Sequence, residues 1–231
     1  FLHPDGCAAN RAARYLGVAS VVMSGGTDLR LLTKTSSRKA KIQQTLRQAD
    51  RLIVVSRELA ERAESLGVHK SKIDVVYRGV DRNCFQPMQQ ACARHECNIP
   101  EEAVVILWVG RLEAVKNPAL LLAAALRWKQ RWKRRLQIKM IGEGSLRYHL
   151  IQCSRKQGLE DVLEILPPMN QQRLALYLNA ANVTVLTSRS EGIPNVLLES
   201  IACNTPFVAT DVGGVAEIAS PNVDYLVPSE D

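Results

Sequence analysis

The hydrophobic pattern of the chain alternates between short apolar runs and longer segments of helical periodicity. Apolar runs of strand length, rich in β-branched residues, lie at residues 103–109, 136–141, 183–187 and 207–210, and each leads through a polar loop into a helical segment. Strand, loop, helix and strand in such close succession predict βαβ units with right-handed crossovers. This order of elements predicts an α/β fold built on parallel sheets.

The loop after residues 183–187 carries two acidic residues. Glu191 lies in the loop itself, Pro194 suits the first position of the helix that follows, and Glu199 lies about a turn and a half into that helix. Open parallel sheets bind ligands outside the carboxyl ends of their strands, where these acids are oriented to hold sugar or ribose hydroxyls. Taken singly, either acid is more simply explained as a solvated residue.

The loop after residues 103–109 carries cations instead. Arg111 and Lys116 precede a helix predicted to begin at Pro118 with Asn117 as its N-cap. A helix N-terminus carries partial positive charge, so two cations beside it indicate an anion, usually phosphate. Two solvated cations on an exposed loop are the alternative. Gly142 and Gly144 follow the strand at 136–141, Gly213 and Gly214 follow the strand at 207–210, and these glycines are predicted to let the backbone approach a ligand.

Several motifs, in their order along the chain, resemble those of glycosyltransferase family 4. They are ADRLIVVS (49–56), KIDVVYRGVD (72–81), VGRLEAVKN (109–117), IGEGSLR (141–147), SEGIPNVLLE (190–199) and ATDVGGVAEI (209–218). The resemblance covers essentially the whole chain and implies an α/β fold of GT-B type, with two Rossmann-like domains whose parallel sheets face a cleft. Residues 1–83 match the C-terminal portion of the acceptor-side domain, and residues 84–231 match the nucleotide-sugar domain, truncated at its C-terminal end. The first domain is therefore expected to be incomplete and the final helices to be missing.

The resemblance also implies a role for individual residues. Arg111 and Lys116 match the pair that grips the donor diphosphate, Glu191 matches the acid near the donor sugar, and Glu199 matches the acid that binds the ribose hydroxyls. The first three are the predicted catalytic residues. The other donor-binding residues implied are Gly110, Gly142, Leu166, Gly192, Ile193, Pro194, Asn195 and Val196. The scheme requires no metal and no cofactor, because a UDP- or GDP-sugar is the substrate and its leaving phosphate helps to deprotonate the acceptor.

Two positions depart from the family pattern. Pro167 stands where glycine is usual, beside the predicted base contact at Leu166, so the preferred nucleotide base stays open. Gly25, in the turn SGGTD (24–28), stands where the family's histidine touches the donor sugar, so that either donor recognition differs or transfer is weakened. The chain also begins at Phe1 without a methionine and enters the first domain late, which predicts a fragment of a longer protein or a shortened gene product.

The function predicted from the residues and the resemblance together is transfer of a sugar from a nucleotide-sugar to a glycan or lipid-linked acceptor, with retention of anomeric configuration. The alternative is a non-catalytic remnant that binds nucleotide-sugar. Six scattered cysteines among 231 residues are typical of reduced thiols and predict a cytoplasmic protein, and no apolar segment is long enough to span a membrane.

The net charge of +7 is concentrated in part at WKQRWKRR (128–135). We interpret this cluster as a helix C-terminus whose cations complement the helix dipole, with its tryptophans packed inward. Peripheral contact with the anionic inner surface of a membrane is the second interpretation. No nucleic-acid-binding motif accompanies the cluster, so nucleic acid is not a predicted partner.

Overall fold

The computed structural model describes residues 2–131 and 135–229 and divides the chain into two compact units. The first unit consists of Phe1–Arg78 together with Ser190–Pro194 and Val212–Ile218. The second unit consists of Gly79–Arg189, Asn195–Asp211 and Ala219–Asp231. Each unit contains a parallel β-sheet with helices, so the predicted α/β class is confirmed. The division into domains at residues 83 and 84 stays a prediction of the sequence.

The first unit is built on a three-stranded parallel sheet in the order β1-β2-β3. Its strands are β1 (Val21–Ser24), β2 (Arg51–Val54) and β3 (Ile73–Val75), and its helices are α1 (Asp5–Leu16), α2 (Thr27–Arg30), α3 (Ser36–Gln48) and α4 (Arg57–Ser65). Val22 lies opposite Leu52, which in turn lies opposite Ile73. Ser56 caps α4, because its hydroxyl accepts a 3.2 Å hydrogen bond from the backbone N–H of Leu59.

The second unit is built on a six-stranded parallel sheet in the order β6-β5-β4-β7-β8-β9. The strands are β4 (Val104–Val109), β5 (Leu136–Ile141), β6 (Leu163–Leu166), β7 (Val183–Leu186), β8 (Phe207–Thr210) and β9 (Tyr225–Val227). The helices are α5 (Gln90–Glu96), α6 (Pro118–Arg131), α7 (Arg147–Lys156), α8 (Gln171–Ala180) and α9 (Asn195–Ala202).

The central strand β4 is buried on both faces, which explains its continuous apolar sequence. Val105 and Leu107 belong to one core cluster, which includes residues of α5 and α8. Ile106 and Trp108 belong to a second cluster, which includes residues of α6 and α7. The alternation of side chains along a single strand therefore supplies the cores on both sides of the sheet.

Some local predictions need correction. Pro118 opens α6 as expected, but Asn117 has a left-handed φ of 48° and is not the extended residue that an N-cap requires. Helix α9, for which Pro194 was predicted as the first position, begins one residue later, at Asn195. Trp128 packs against a core cluster as predicted, whereas Trp132 and the two cations after it lie outside the described residues.

Candidate functional site

The strand order of the second sheet reverses between β4 and β7. β5 and β6 follow β4 on one side, and β8 and β9 follow β7 on the other. In open α/β sheets, the crevice at such a switch point, outside the carboxyl ends of the strands, is the usual place for a ligand. The loop that leaves β4 here carries Arg111 and Lys116, and the loop that leaves β7 leads towards α9.

A buried hydroxyl ties these two loops together. Thr187 Oγ1, just after β7, accepts a 3.0 Å hydrogen bond from the indole Nε1 of Trp108 and donates a 2.8 Å hydrogen bond to the carbonyl of Lys116. Two residues further on, the backbone N–H of Arg189 donates to the carbonyl of Val115 at 2.9 Å. The backbone that carries Lys116 is therefore fixed to both central strands of the switch point.

A cavity of about 460 Å³ opens at the carboxyl ends of β4, β5 and β6. Three of the predicted donor-binding residues line it, namely Gly110, Arg111 and Gly142. Pro168, Met169 and Leu174 also line the cavity and make part of its wall apolar. No sequence signal identified these three side chains, although Pro167, which precedes them in the chain, departs from the family pattern.

The glycines after β5 are required by the packing of two loops. A Cβ built on Gly142 would lie 1.9 Å from the carbonyl oxygen of Gly110, and one built on Gly144 would lie 2.5 Å from the carbonyl oxygen of Leu112. The Leu112 N–H also donates to the carbonyl of Glu143 at 2.8 Å. The close approach that the sequence predicted towards a ligand is thus made, in the structure, towards the neighbouring loop.

Two polar side chains that were not predicted hold this corner of the cavity. The guanidinium of Arg147 lies 3.3 Å from the carbonyl of Gly142 and 3.4 Å from that of Ile165, so it spans the ends of β5 and β6. The carboxylate of Glu113 accepts hydrogen bonds from the N–H and hydroxyl of Ser145, at 2.9 and 2.7 Å, and these bonds hold its pKa below the ordinary value. Arg147 also faces the carbonyl of Leu166, at 3.5 Å. The local sequence could not predict this role of Arg147, because its partners lie up to 19 residues away along the chain.

The acidic residue on α9 is partly withdrawn from water. Glu199 lies on the short helix that also contains Asn195 and Val196, and burial raises the pKa of its carboxyl above the ordinary value of 4.5. Glu199 is therefore half-buried rather than fully solvated. Its charge also contributes to the raised pKa of two nearby thiols, Cys84 and Cys203, for which burial is the larger cause.

The other predicted donor-binding residues belong to the first unit, in the segment Ser190–Pro194. Glu191 is buried, with 8% of its surface exposed, so it is not the solvated loop acid of the alternative interpretation. Gly192 packs on the turn after β1, because a Cβ there would lie 2.2 Å from the carbonyl oxygen of Gly25. A Cβ on Gly25 would lie 3.0 Å from Nη2 of Arg78, so a guanidinium borders the position where the family has a histidine.

Two parallel sheets flanked by helices, one of them wound in both directions from a central strand, define an α/β protein of Rossmann-like architecture. The family described as "Glycosyl transferases group 1" matches residues 90–231, and the family described as "Glycosyltransferase Family 4" matches residues 1–83. The chain belongs to the group 1 glycosyltransferases.

Two curated relatives of this chain share the same name. A D-inositol 3-phosphate glycosyltransferase of Streptosporangium roseum is 36% identical over 194 residues, which cover 80% of this chain and 45% of the relative. The protein of the same name from Kineococcus radiotolerans is 37% identical over 183 residues, or 75% of this chain and 42% of the relative. The chain therefore spans about half the length of the curated relatives that it matches.

Solved structures show the same fold at lower identity. Anabaena HepE in complex with UDP and glucose superposes with a TM-score of 0.85 at 18% identity, covering 97% of this chain and 61% of that one. Sucrose-phosphate synthase from Thermosynechococcus elongatus superposes with a TM-score of 0.83 at 24% identity, covering 98% of this chain and 59% of that one. The predicted GT-B type of fold is confirmed by this likeness. Within residues 2–131 and 135–229, the structure contains no helix whose length and apolar character suffice to cross a membrane.

Proposed function

We propose that this chain carries the donor site of a glycosyltransferase that takes its sugar from a nucleoside diphosphate. The observation that carries the proposal is the cavity of about 460 Å³ at the carboxyl ends of β4, β5 and β6, with Arg111 in its wall. A cation and a helix N-terminus at the carboxyl ends of parallel strands suit a phosphorylated ligand. Membership of the group 1 family supports the same ligand class.

Arg111 and Lys116 bind the diphosphate in this proposal. Both lie between β4 and the N-terminus of α6, where the helix dipole adds to their positive charge. The hydrogen bond from Thr187 to the Lys116 carbonyl fixes the backbone of the loop, so the lysine starts from a defined position. The negative charge that develops on the departing diphosphate is stabilised by these preorganised cations.

The nucleoside occupies the cavity beyond the diphosphate. The base lies against Pro168, Met169 and Leu174, next to Gly110, Gly142 and the turn at Leu166, and the ribose hydroxyls donate to the carboxylate of Glu199. HepE was crystallised with UDP and with UDP-glucose, which makes UDP the first candidate and GDP the second. Burial at Glu199 supports this role, because a partly desolvated carboxylate gains more from hydrogen bonds than a solvated one.

The donor sugar is assigned to the loop of Glu191. Its carboxylate faces the sugar, and the backbone of Gly192, Ile193, Pro194 and Asn195, with Val196 at the start of α9, contacts sugar hydroxyls or phosphate. The resemblance implies retention on one face of the sugar. The bond from the anomeric carbon to the diphosphate oxygen breaks and its electron pair leaves with the phosphate. The acceptor oxygen bonds to the same face, and its proton passes to the leaving phosphate.

The acceptor is a hydroxyl of a glycan or lipid-linked molecule, as the resemblance implies. The name shared by the relatives adds inositol phosphate as a small-molecule candidate. If the acceptor is lipid-linked, the protein is proposed to contact an anionic membrane peripherally. Sedimentation of the protein with vesicles that contain phosphatidylserine tests this contact. A non-catalytic protein that binds nucleotide-sugar is the rival proposal, motivated by Gly25.

Release of UDP from UDP-glucose, measured with full-length protein and each acceptor class, separates the enzyme from the rival. If the protein is an enzyme, UDP release is expected to depend on the acceptor, and the proton NMR spectrum of the product is expected to show retained anomeric configuration. UDP binding without release from any UDP- or GDP-sugar supports the rival, and inverted product contradicts the retaining mechanism. Failure to bind either nucleotide contradicts both.

A further inference from the structure

The segment Ser190–Pro194 is held within the first unit by contacts on both of its sides. Gly192 packs so closely on the turn after β1 that a Cβ would lie 2.2 Å from the Gly25 carbonyl oxygen. The same residue accepts a 2.8 Å hydrogen bond from the N–H of Gly214. Glu191, the acid assigned to the donor sugar, therefore belongs to a backbone with little freedom, and its placement depends on what holds its neighbours.

One support is Arg30, at the end of α2. Its Nε donates a 3.0 Å hydrogen bond to the hydroxyl of Ser190, the residue immediately before Glu191. Its Nη1 forms a 2.8 Å ion pair with Oε1 of Glu58, and the Arg30 side chain is only 12% exposed. Because Glu58 lies on α4, the guanidinium is fixed at both ends and presents a defined donor to the loop.

A second support is Glu217, which follows the paired glycines of Val212–Ile218. Its carboxylate accepts hydrogen bonds from the N–H groups of Arg57 and Glu58, at 2.9 and 3.0 Å, and from the hydroxyl of Tyr77 at 2.8 Å. The two amides belong to the first turn of α4, where a helix has unpaired N–H groups and favours an anion. Glu217 thus anchors its own segment to α4 by three hydrogen bonds.

The anchored segment packs directly against the backbone of Glu191. A Cβ built on Gly213 would lie 2.0 Å from the carbonyl oxygen of Glu191, and one built on Gly214 would lie 2.7 Å from Cβ of Ser56. Gly214 is therefore enclosed between the residue that caps α4 and the loop of Glu191. Backbone contacts therefore connect the Glu217 anchor to Glu191.

We infer that Arg30 and Glu217 are positioning residues for Glu191, acting from its two sides. This inference rests on the proposed function for the assignment of Glu191 to the donor sugar. Neither residue is placed against substrate. Arg30 acts through Ser190, and Glu217 acts through the paired glycines. Together they fix the acid whose carboxylate is to meet the donor, and small displacements of such a group are costly to the reaction.

Hydrogen exchange of the full-length protein, followed by mass spectrometry, tests the physical part of this inference. We expect Glu217→Ala to speed exchange in the peptide spanning 188–197 by about fivefold or more, and Arg30→Ala to do the same. Glu64→Ala is the matched control, because it removes an exposed acid from the same helix α4 without touching the network. Unchanged exchange in 188–197 in both variants overturns the inference, even where α4 itself loosens.

Turnover separates positioning from simple loss of structure. With UDP release as the readout, Glu217→Ala and Arg30→Ala are expected to lower kcat about tenfold while the donor KM changes little, because the diphosphate is bound elsewhere. Glu217→Gln is expected to recover part of the loss, since its amide oxygen still accepts from the helix N–H groups. A kcat within about twofold of wild type in both alanine variants contradicts the inference. If the wild-type protein releases no UDP, the proposed function fails, whereas the exchange experiment still decides whether the two supports exist.

Discussion

The indole Nε1 of Trp108 and the hydroxyl of Thr187 are joined by a 3.0 Å hydrogen bond in the interior of the second unit. Trp108 is fully buried in β4, and Thr187 is the first residue after β7, so the bond crosses the switch point of the sheet. Because the same hydroxyl donates to the carbonyl of Lys116, one side chain couples the core to the proposed diphosphate loop.

Replacing Thr187 by valine is expected to destabilise the protein by about 1–3 kcal/mol, because the buried indole N–H loses its acceptor and the Lys116 carbonyl loses its donor. Chemical denaturation measures the loss, and UDP affinity is expected to fall as well. Thr187→Ser keeps the hydroxyl and serves as the control. Equal stability of the valine and serine variants contradicts this account of the bond.

Gly142→Ala is expected to destabilise the fold by about 1–3 kcal/mol or more, since its methyl group would meet the Gly110 carbonyl oxygen at 1.9 Å and force the two loops apart. Gly79→Ala is the control, because nothing lies within 4 Å of a Cβ at that position. The free energies of unfolding of both variants test the prediction. A Gly142→Ala protein as stable as the Gly79→Ala protein would show that the loops separate freely.

Glu199 is expected to make the stability of the protein depend on pH. Burial raises its carboxyl pKa above 4.5 in the folded state, so the folded protein holds the proton more tightly than the unfolded chain does. The resulting contribution to stability is fully present below pH 4.5 and is lost as the pH rises through the raised pKa. Glu199→Gln removes this dependence and is expected to gain stability relative to wild type over that window.

Urea denaturation between pH 4 and pH 8 gives the comparison, with Glu160→Gln as a control on an exposed carboxylate that pairs with Arg155. If the difference in stability between Glu199→Gln and wild type stays constant with pH, the raised pKa of Glu199 is refuted. UDP binding is expected to weaken as the pH falls through the same range, because the ionised carboxylate is a stronger hydrogen-bond acceptor for the ribose hydroxyls than the protonated acid.

The thiols are expected to differ in reactivity. Burial raises the pKa of Cys203 to about 11, whereas Cys92 is exposed. Since the thiolate is the reactive form, Cys203 is expected to stay unlabelled by a disulfide reagent at pH 8 in the folded protein, while Cys92 reacts. Mass spectrometry of the labelled protein identifies the modified residue. Labelling of Cys203 at the rate of Cys92 would contradict its described burial.

The sequence was sufficient to predict four of the six strands of the second sheet, namely β4, β5, β7 and β8, but not β6 or β9. The apolar run of β4 and the glycine after it fix a buried strand and a loop, and the order of motifs places Arg111 at a strand end. Glu217 was beyond such reasoning, although it lies in a quoted motif. Its partners at the start of α4 are 159 and 160 residues away, and a cap supplied from that distance leaves no local pattern.

The glycines after β5 show a different limit. Their presence predicted a close approach of the backbone to something, and the structure supplies Gly110 and Leu112 as the neighbours. Sequence alone does not distinguish a ligand from a second loop, because both demand the same missing side chain. Pro168 and Met169 likewise line the cavity because of the path that the chain takes after β6, which the local sequence does not specify.

Calorimetric titration with UDP, with GDP in parallel, tests the central claim most directly. The wild-type protein is expected to bind at least one of the two saturably. Arg111→Ala is expected to weaken that binding by about 1.5–3 kcal/mol, as for loss of a charge-assisted hydrogen bond. Arg155→Ala, which removes an exposed arginine paired with Glu160, is expected to leave the affinity unchanged. Absence of binding by the folded wild-type protein, or equal affinity in the wild-type and Arg111→Ala proteins, would contradict a nucleotide-sugar site at the switch point.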